Sequence, residues 1–250
     1  MKSVWDGTIS FGLVSIPVRL YSAVEHKATV SFKLLHKKDK STVQYKRFCK
    51  KENKEISWGD IAKGLEIGKN NYYMITKEEL DKLKPEKSDF IDIIEFVNYN
   101  QVDPIYFSSH YYLAPVKAKD KAFFLLKEAL QMFATAAVGK FVMREKEHVC
   151  VISSYKSGLL LTTLNYQYEI RDIGKLEELK EKPQVRKEEI ELAKQLIQKF
   201  AKDEFDITKF EDTFGDQVKE LIKRKEEGKP LPENKKVKKK KEENLIESLR

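Results

Sequence analysis

The chain has 250 residues, 41% of them apolar, so it can bury a real core as one large domain or two small ones; the 35% that carry charge must occupy solvated faces or an unfolded tail. Lys and Arg number 48 against 40 Asp and Glu, a net charge of +8 with a pI near 9.1, which favours an acidic partner such as nucleic acid or an anionic membrane surface. Only two cysteines occur, Cys49 and Cys150; that excludes a disulfide framework and points to a reducing cytosol.

The N-terminus reads MKSVWDGTISFGLVSIPVRL, and its charge-free run, 7–18, is broken by Gly12 and Pro17. It is too short to span a bilayer and alternates where a signal peptide would not, so a soluble intracellular protein with no membrane association is expected. Residues 8–11 and 14–20 alternate polar and apolar side chains, as do Val30, Phe32 and Leu34 with Ser31 and Lys33. Further short apolar or β-branched runs fall at 72–75, 90–97, 105–107, 111–113, 139–143, 149–153 and 159–164. Short strands between turn residues predict a mixed α+β fold, mainly β, built as an antiparallel barrel or sandwich.

Residues 36–55 break this pattern. The stretch HKKDKSTVQYKRFCKKENKE carries Lys37, Lys38, Lys40, Lys46, Arg47, Lys50, Lys51 and Lys54, with only Val43, Tyr45, Phe48 and Cys49 apolar. So few apolar side chains bury little surface, and an excursion from the core is expected, in the form of a hairpin arm. Two helices interrupt the strands. Thr76-Lys77-Glu78-Glu79 has the form of a capping box opening a short helix that ends before Pro85. Asp120 caps a longer one, whose buried stripe is expected to be Ala122, Leu126, Ala129, Leu130 and Phe133.

From about Gly174 the period becomes helical. Ile190, Ala193, Ile197 and Phe200 make one stripe; Phe210, Phe214, Val218, Leu221 and Ile222 make another, interrupted by Gly215 and stopped by Gly228 and Pro230. The tail carries KKVKKKK at 235–241 and then EENLIESLR, which can form a short amphipathic helix. Residues 229–250 hold 8 basic and 4 acidic side chains, so +4 of the total +8 sits there.

Catalytic signatures are scarce. The sequence contains no glycine loop of the form G-x-G-x-x-G or G-x-x-x-x-G-K-[ST], no G-x-S-x-G elbow and no H-E-x-x-H pair. His26, His36, His110 and His148 are widely separated and read as structural or exposed. Cys49 has Glu52 at the C-x-x-C offset, and Cys150 sits in an apolar run and reads as a buried, inert thiol. Asp89, Asp92 and Glu95 are the candidates for nuclease carboxylates holding Mg²⁺, but Asp89 and Asp92 are three apart and project from opposite faces of a strand. The basic strips remain. They read either as a solvated face or as side chains that neutralise phosphates without reading bases. Tyr45 and Phe48, interleaved with Lys46 and Arg47, read either as stacking groups for single-stranded bases or as the packing of a hairpin.

The opening W-x-G-x-I-S-F-G-L-V-x-I-P-V-x-L-Y-S-A, residues 5–23, closely resembles the N-terminus of prokaryotic Ku proteins. The resemblance continues through Leu35-His36-Lys37-Lys38, Tyr45-Lys46-Arg47, Asp60-Ile61 with Lys63-Gly64, Thr76 to Leu80 and Leu83-Lys84-Pro85. It runs on through Asp103-Pro104-Ile105-Tyr106-Phe107, Tyr111-Tyr112-Leu113-Ala114-Pro115, Lys121-Ala122, Leu125-Leu126, Glu128-Ala129-Leu130 and Tyr168-Glu169-x-Arg171, to Phe210-Glu211-Asp212-Thr213-Phe214. It implies a Ku-type antiparallel β-barrel core over 1–173, with a bridge insertion at about 36–67 that closes a homodimeric ring. A helical C-terminal arm over 174–228 would pack on the partner, followed by a lysine-rich tail over 229–250. The ring would encircle double-stranded DNA entered from an end and recruit an ATP-dependent DNA ligase, without catalysis, cofactor or small-molecule substrate, in the cytoplasm on the nucleoid. Many relatives carry a C-x-x-C pair after the Y-K-R motif; here Cys49-Lys50-Lys51-Glu52 stands instead, so zinc is not expected.

The basic candidates for phosphate contact are then Arg19, Lys37, Lys38, Lys46, Arg47, Lys50 and Lys63, with Lys238, Lys239, Lys240 and Lys241 auxiliary. Leu245, Ile246 and Leu249 are the candidate ligase contact. Two other readings compete: a nucleic-acid-binding module without a ring, for RNA among other targets, and a metal-dependent nuclease using Asp89 or Asp92.

Overall fold

In a computed structural model, residues 1–25, 32–83 and 89–230 are described. They fall into two compact units, one of residues 1–25 with 33–171, the other of residue 32 with 172–230. The first holds, in chain order, β1 (Trp5–Phe11), β2 (Val14–Ser22), four short strands β3 (Phe48–Cys49), β4 (Lys54–Glu55), β5 (Lys63–Gly68) and β6 (Asn71–Ile75), α1 (Lys77–Leu83), β7 (Phe90–Asn98), β8 (Phe107–Pro115), α2 (Lys121–Met132), β9 (Thr135–Met143), β10 (Lys146–Tyr155) and β11 (Gly158–Leu164).

Period-two alternation builds the sheet. In β2, Ile16, Val18 and Leu20 are buried while Val14, Ser15 and Pro17 are exposed, so one face of the strand fills a core. In β11, Leu159 and Leu161 are buried on either side of the half-buried Leu160, and Thr162 and Thr163 are buried after them. Seven strands close a barrel in the order β1-β2-β8-β11-β10-β9-β7. Six neighbouring pairs are antiparallel, as expected, and β1 with β7 is parallel. A parallel pair needs a long crossover. Here the chain supplies it between the end of β2 at Ser22 and the start of β7 at Phe90.

Ile9, Val18, Leu20, Ile91, Phe141 and Ile152 meet in the interior, and α2 adds Phe123, Leu126 and Leu130 to the same cluster. Each such buried side chain contributes roughly 1.5–3 kcal/mol. Asp120 starts α2 as expected, its carboxylate accepting the N–H groups of Ala122 and Phe123 at 3.0 and 3.2 Å. The buried stripe differs from the expected one. Phe123, Leu126, Lys127 and Leu130 are buried, while Ala122 is exposed, Ala129 is half-buried and Phe133 stands 71% exposed. The run Ala122-Phe123-Phe124-Leu125-Leu126 is apolar on every side, so periodicity could not select the face.

The described residues of the excursion between β2 and β7 bury almost nothing. Phe32 and Leu34 are exposed and form no strand, only the isolated bridge Leu35↔Thr42 follows, and Val30 and Ser31 lie outside the described residues. Two hairpins follow, β3–β4 and β5–β6, neither with a buried residue. The capping box at α1 forms: Thr76 N–H donates to Glu79 at 2.8 Å and Glu79 N–H donates to Thr76 Oγ1 at 3.2 Å. Ile105 and Tyr106, expected in a strand, instead make a 3₁₀ turn capped by Asp103.

The second unit holds α3 (Lys187–Phe200) and α4 (Thr213–Glu226). Helix begins later than the change of period suggested; residues 173–175 and 177–179 are single 3₁₀ turns. Asp212 caps α4, its carboxylate accepting from Phe214 N and Gly215 N. That cap leaves Phe210 outside the helix and puts Gly215 in the first turn, not the interior. The end of α4 is a Schellman motif: Gly228, at φ 67, donates to Lys225 O at 3.3 Å and Lys229 donates to Arg224 O at 2.9 Å. Among the described residues no helix is long and apolar enough to cross a membrane.

Candidate nucleic-acid interface

Six of the seven described basic candidates lie on the excursion. Lys37 and Lys38 occupy the turn of the Leu35–Thr42 bridge, where His36 N donates to Ser41 O and Lys40 N to His36 O, both at 2.8 Å. Asp39 fastens this turn by accepting the Ser41 N–H and hydroxyl, with His36 Nδ1 3.0 Å away. Those bonds, the Ser41 N–H foremost, hold the Asp39 carboxyl below its ordinary range, so it stays charged. The Lys37 and Lys38 side chains are left exposed, with no carboxylate partner among the described residues.

Lys46 and Arg47 are held in place. Lys46 Nζ lies 2.7 Å from Glu55 across the β3–β4 hairpin. The Arg47 guanidinium sits 3.7 Å from the centre of the Trp58 ring, a cation–π contact, and its carbonyl accepts Ile56 N–H at 2.9 Å. Lys50 projects from the hairpin turn, which Asn53 N closes by donating to Cys49 O at 2.8 Å. Lys63 opens β5 opposite Ile75. Both are exposed and free of carboxylate partners among the described residues. Arg19 stands apart on the barrel strand β2, in register with Asp6 and 3.8 Å from its carboxylate. Trp58 and Glu55 are the partners that sequence reasoning missed; only the hairpin register brings them to Arg47 and Lys46.

Tyr45 and Phe48 are 83% and 55% exposed and neither has an aromatic neighbour among the described residues. Lys238, Lys239, Lys240 and Lys241, and Leu245, Ile246 and Leu249, lie outside the described residues, as does His26.

The groups proposed for other chemistry do not converge. Asp92 is exposed on β7, and Asp89 precedes that strand and gives its carbonyl to Thr8 N–H at 2.8 Å. Among the described residues no set of three or more His, Cys, Asp or Glu side chains is placed to hold a metal ion. His110 Nδ1 is 2.9 Å from Thr162 Oγ1. His148 packs on Phe141 and is held below its ordinary pKa by burial first and by Lys146 second. Cys150 is fully buried and its thiol is pushed up to about 12 by that burial, which agrees with an inert thiol.

A family model described as the Ku70/Ku80 beta-barrel domain matches residues 10–192. The chain belongs to the Ku family. The non-homologous end joining protein Ku of Archaeoglobus fulgidus is 36% identical over 231 residues, 92% of this chain and 90% of that protein. The protein of the same name from Heliobacterium modesticaldum is 37% identical, over 93% of this chain and 84% of its own. Non-homologous end joining protein Ku 1 of Geotalea uraniireducens is 43% identical over 170 residues, 68% of this chain and 65% of its own. The Ku match begins inside β1 and ends inside α3, so it takes in the barrel and the whole excursion.

This Ku barrel also carries an open apolar groove of about 740 Å³ between α2 and the β1–β2 turn. Phe11, Val14, Phe96, Leu125, Ala129 and Phe133 line it, and Leu13 at the turn is fully exposed.

Proposed function

We propose that this chain binds ends of double-stranded DNA without regard to sequence, as a homodimeric ring that catalyses no reaction. It protects those ends and brings an ATP-dependent DNA ligase to them, in double-strand break repair by non-homologous end joining in the cytoplasm. The observation that carries the reading is the excursion within the Ku match, whose exposed lysines Lys37, Lys38, Lys50 and Lys63 have no carboxylate partners among the described residues. Lysines and arginines placed so can meet phosphates and release counterions, a mode of binding that reads no bases. The relatives' shared name, non-homologous end joining protein Ku, supports the pathway.

The ring rests on unburied apolar surface. In the β5–β6 hairpin Leu65, Ile67, Tyr72, Tyr73 and Met74 are each more than half exposed. An isolated two-stranded hairpin is marginal in water, and a second copy laid against it covers those side chains. The groove along α2 offers a second place for the partner's helical arm. Lys238 to Lys241 add an auxiliary hold on DNA, and Leu245, Ile246 and Leu249 supply the ligase contact.

The test compares a linear duplex with a nicked circle of the same sequence. A threaded ring binds the linear form strongly and loads more copies as the fragment lengthens. Equal binding to both sinks threading and leaves a nucleic-acid module without a ring. Degradation that needs Mg²⁺ and disappears in Asp92→Ala would replace the proposal with a nuclease.

A further inference from the structure

The face of the barrel around the β10–β11 turn carries a hollow lined by none of the basic side chains named above for phosphate contact. Tyr112, Pro115, Phe123, Phe124, Tyr155 and Lys156 line a cavity of about 310 Å³ between that turn and the start of α2. Phe124 is 40% exposed there, and Tyr155 38%. The wall that runs from Pro115 to Phe123 carries Lys117, Lys119 and Lys121, all exposed like Lys156. None of these four lysines has a carboxylate partner among the described residues. The one acid in that wall, Asp120, is engaged by the N–H groups of Ala122 and Phe123. An apolar, aromatic hollow therefore has one cation, Lys156, in its lining and three more on the segment that joins its lining residues Pro115 and Phe123.

We propose that this hollow docks an acidic peptide segment of another protein, with one aromatic or leucine side chain as its anchor. Charge complementarity selects the acidic residues, since Lys156 and the three lysines of the adjoining segment attract carboxylates and repel a basic partner. The cavity selects the anchor, because aromatic walls around a small concave pocket are where binding energy concentrates. The details disfavour a nucleobase. Tyr155 is stacked on Tyr112, with ring centres 5.9 Å apart and planes 19° apart, and Lys156 Nζ lies over the Tyr155 ring at 5.4 Å. The Tyr155 ring is thus already engaged by Tyr112 and Lys156, whereas base stacking needs an open face. On the other side of the same turn, Asn100, Gln131, Ser153 and Ser154 line a second depression of about 620 Å³. Their side chains can bond the backbone of a peptide that continues past Tyr155.

The probe is a fluorescently labelled peptide of alternating Asp and Glu with one central Phe, titrated with the full chain and read by anisotropy. Binding in the micromolar range is expected, weakened about tenfold when Ser replaces the peptide's Phe and about tenfold by Tyr155→Ala. The double variant K117E/K119E should weaken it about fivefold or more, most clearly at low salt. Those two positions lie in an exposed loop, so this variant keeps the test open if Tyr155→Ala fails to fold. Absence of binding overturns the proposal, and so does equal affinity for the Ser peptide or for K117E/K119E. Displacement of the peptide by linear duplex DNA also overturns it, because the surface would then belong to the DNA path.

Discussion

Trp5 folds its indole over Gly7, donates Nε1–H to Val142 O at 3.0 Å and meets Phe141 edge-on at 5.6 Å between ring centres. A Cβ on Gly7 would lie 2.1 Å from the Trp5 ring and 2.4 Å from Asp89 O. The W-x-G of the opening motif is therefore a packing requirement at the junction of β1 and β7. Gly7→Ala should cost roughly 1–3 kcal/mol or more, read as a lower urea midpoint; an unchanged midpoint would refute this packing account. Cys150 gives a second expectation. Its folded pKa of about 12 stands above the ordinary 9.0. As pH rises past 9, the unfolded chain releases a proton that the folded chain keeps, so the thiol's contribution to stability falls between pH 9 and 12. The slope of stability against pH over that window should be shallower in Cys150→Ala than in the parent chain. A thiol reagent at pH 8 should titrate one cysteine in the native protein, the half-exposed Cys49, and two only after denaturation. Rapid modification of both in the native state would contradict the burial of Cys150.

At the scale of elements, the barrel and the excursion should differ in local stability. The barrel strands share one buried cluster, whereas β3 to β6 bury no residue. Amide exchange should be slow in β2, β9, β10 and β11 and fast throughout both hairpins in free protein at low concentration. Protection should appear in β5–β6 when DNA is added. Hairpin amides already as protected as the barrel's would show that they need no partner. Signals that act within three or four residues were legible in the sequence: the caps at Thr76 and Asp120, the alternation of β2, and the apolar run of β11. What escaped depended on distant chain. The face of α2 is chosen by the barrel, since the run 122–126 is apolar all round. Phe32 and Leu34 alternate like a strand but have no strand to pair with. The parallel closure of β1 on β7 is a matter of where a long crossover returns. The candidate interface divides the same way. Its basic character was plain from 36–55, but the Lys46–Glu55 and Arg47–Trp58 contacts exist only in the hairpin's register.

For the molecule as a whole, the question is which charges hold DNA. Half of the net charge, +4 of +8, lies in residues 229–250, and among the described residues the excursion carries Lys37, Lys38, Lys50 and Lys63 without carboxylate partners. If about six basic groups meet phosphates, affinity should fall about a thousandfold or more between 50 and 200 mM salt. The individual lysines should then differ. Lys37 and Lys38 have no anionic partner to give up among the described residues, so K37E/K38E should flatten the salt dependence by about two units. Lys46 must first leave Glu55, an exposed pair worth at most about 1 kcal/mol, so Lys46→Ala should flatten it by less than Lys37→Ala does. Truncation after Gly228 separates charge from topology. Loss of Lys238 to Lys241 should flatten the salt dependence by up to about four units. A ring closed by the excursion keeps its preference for linear over circular DNA, because encirclement does not depend on the tail. If the truncated chain binds circle and linear duplex alike, the tail, and not the excursion, confines the protein to ends.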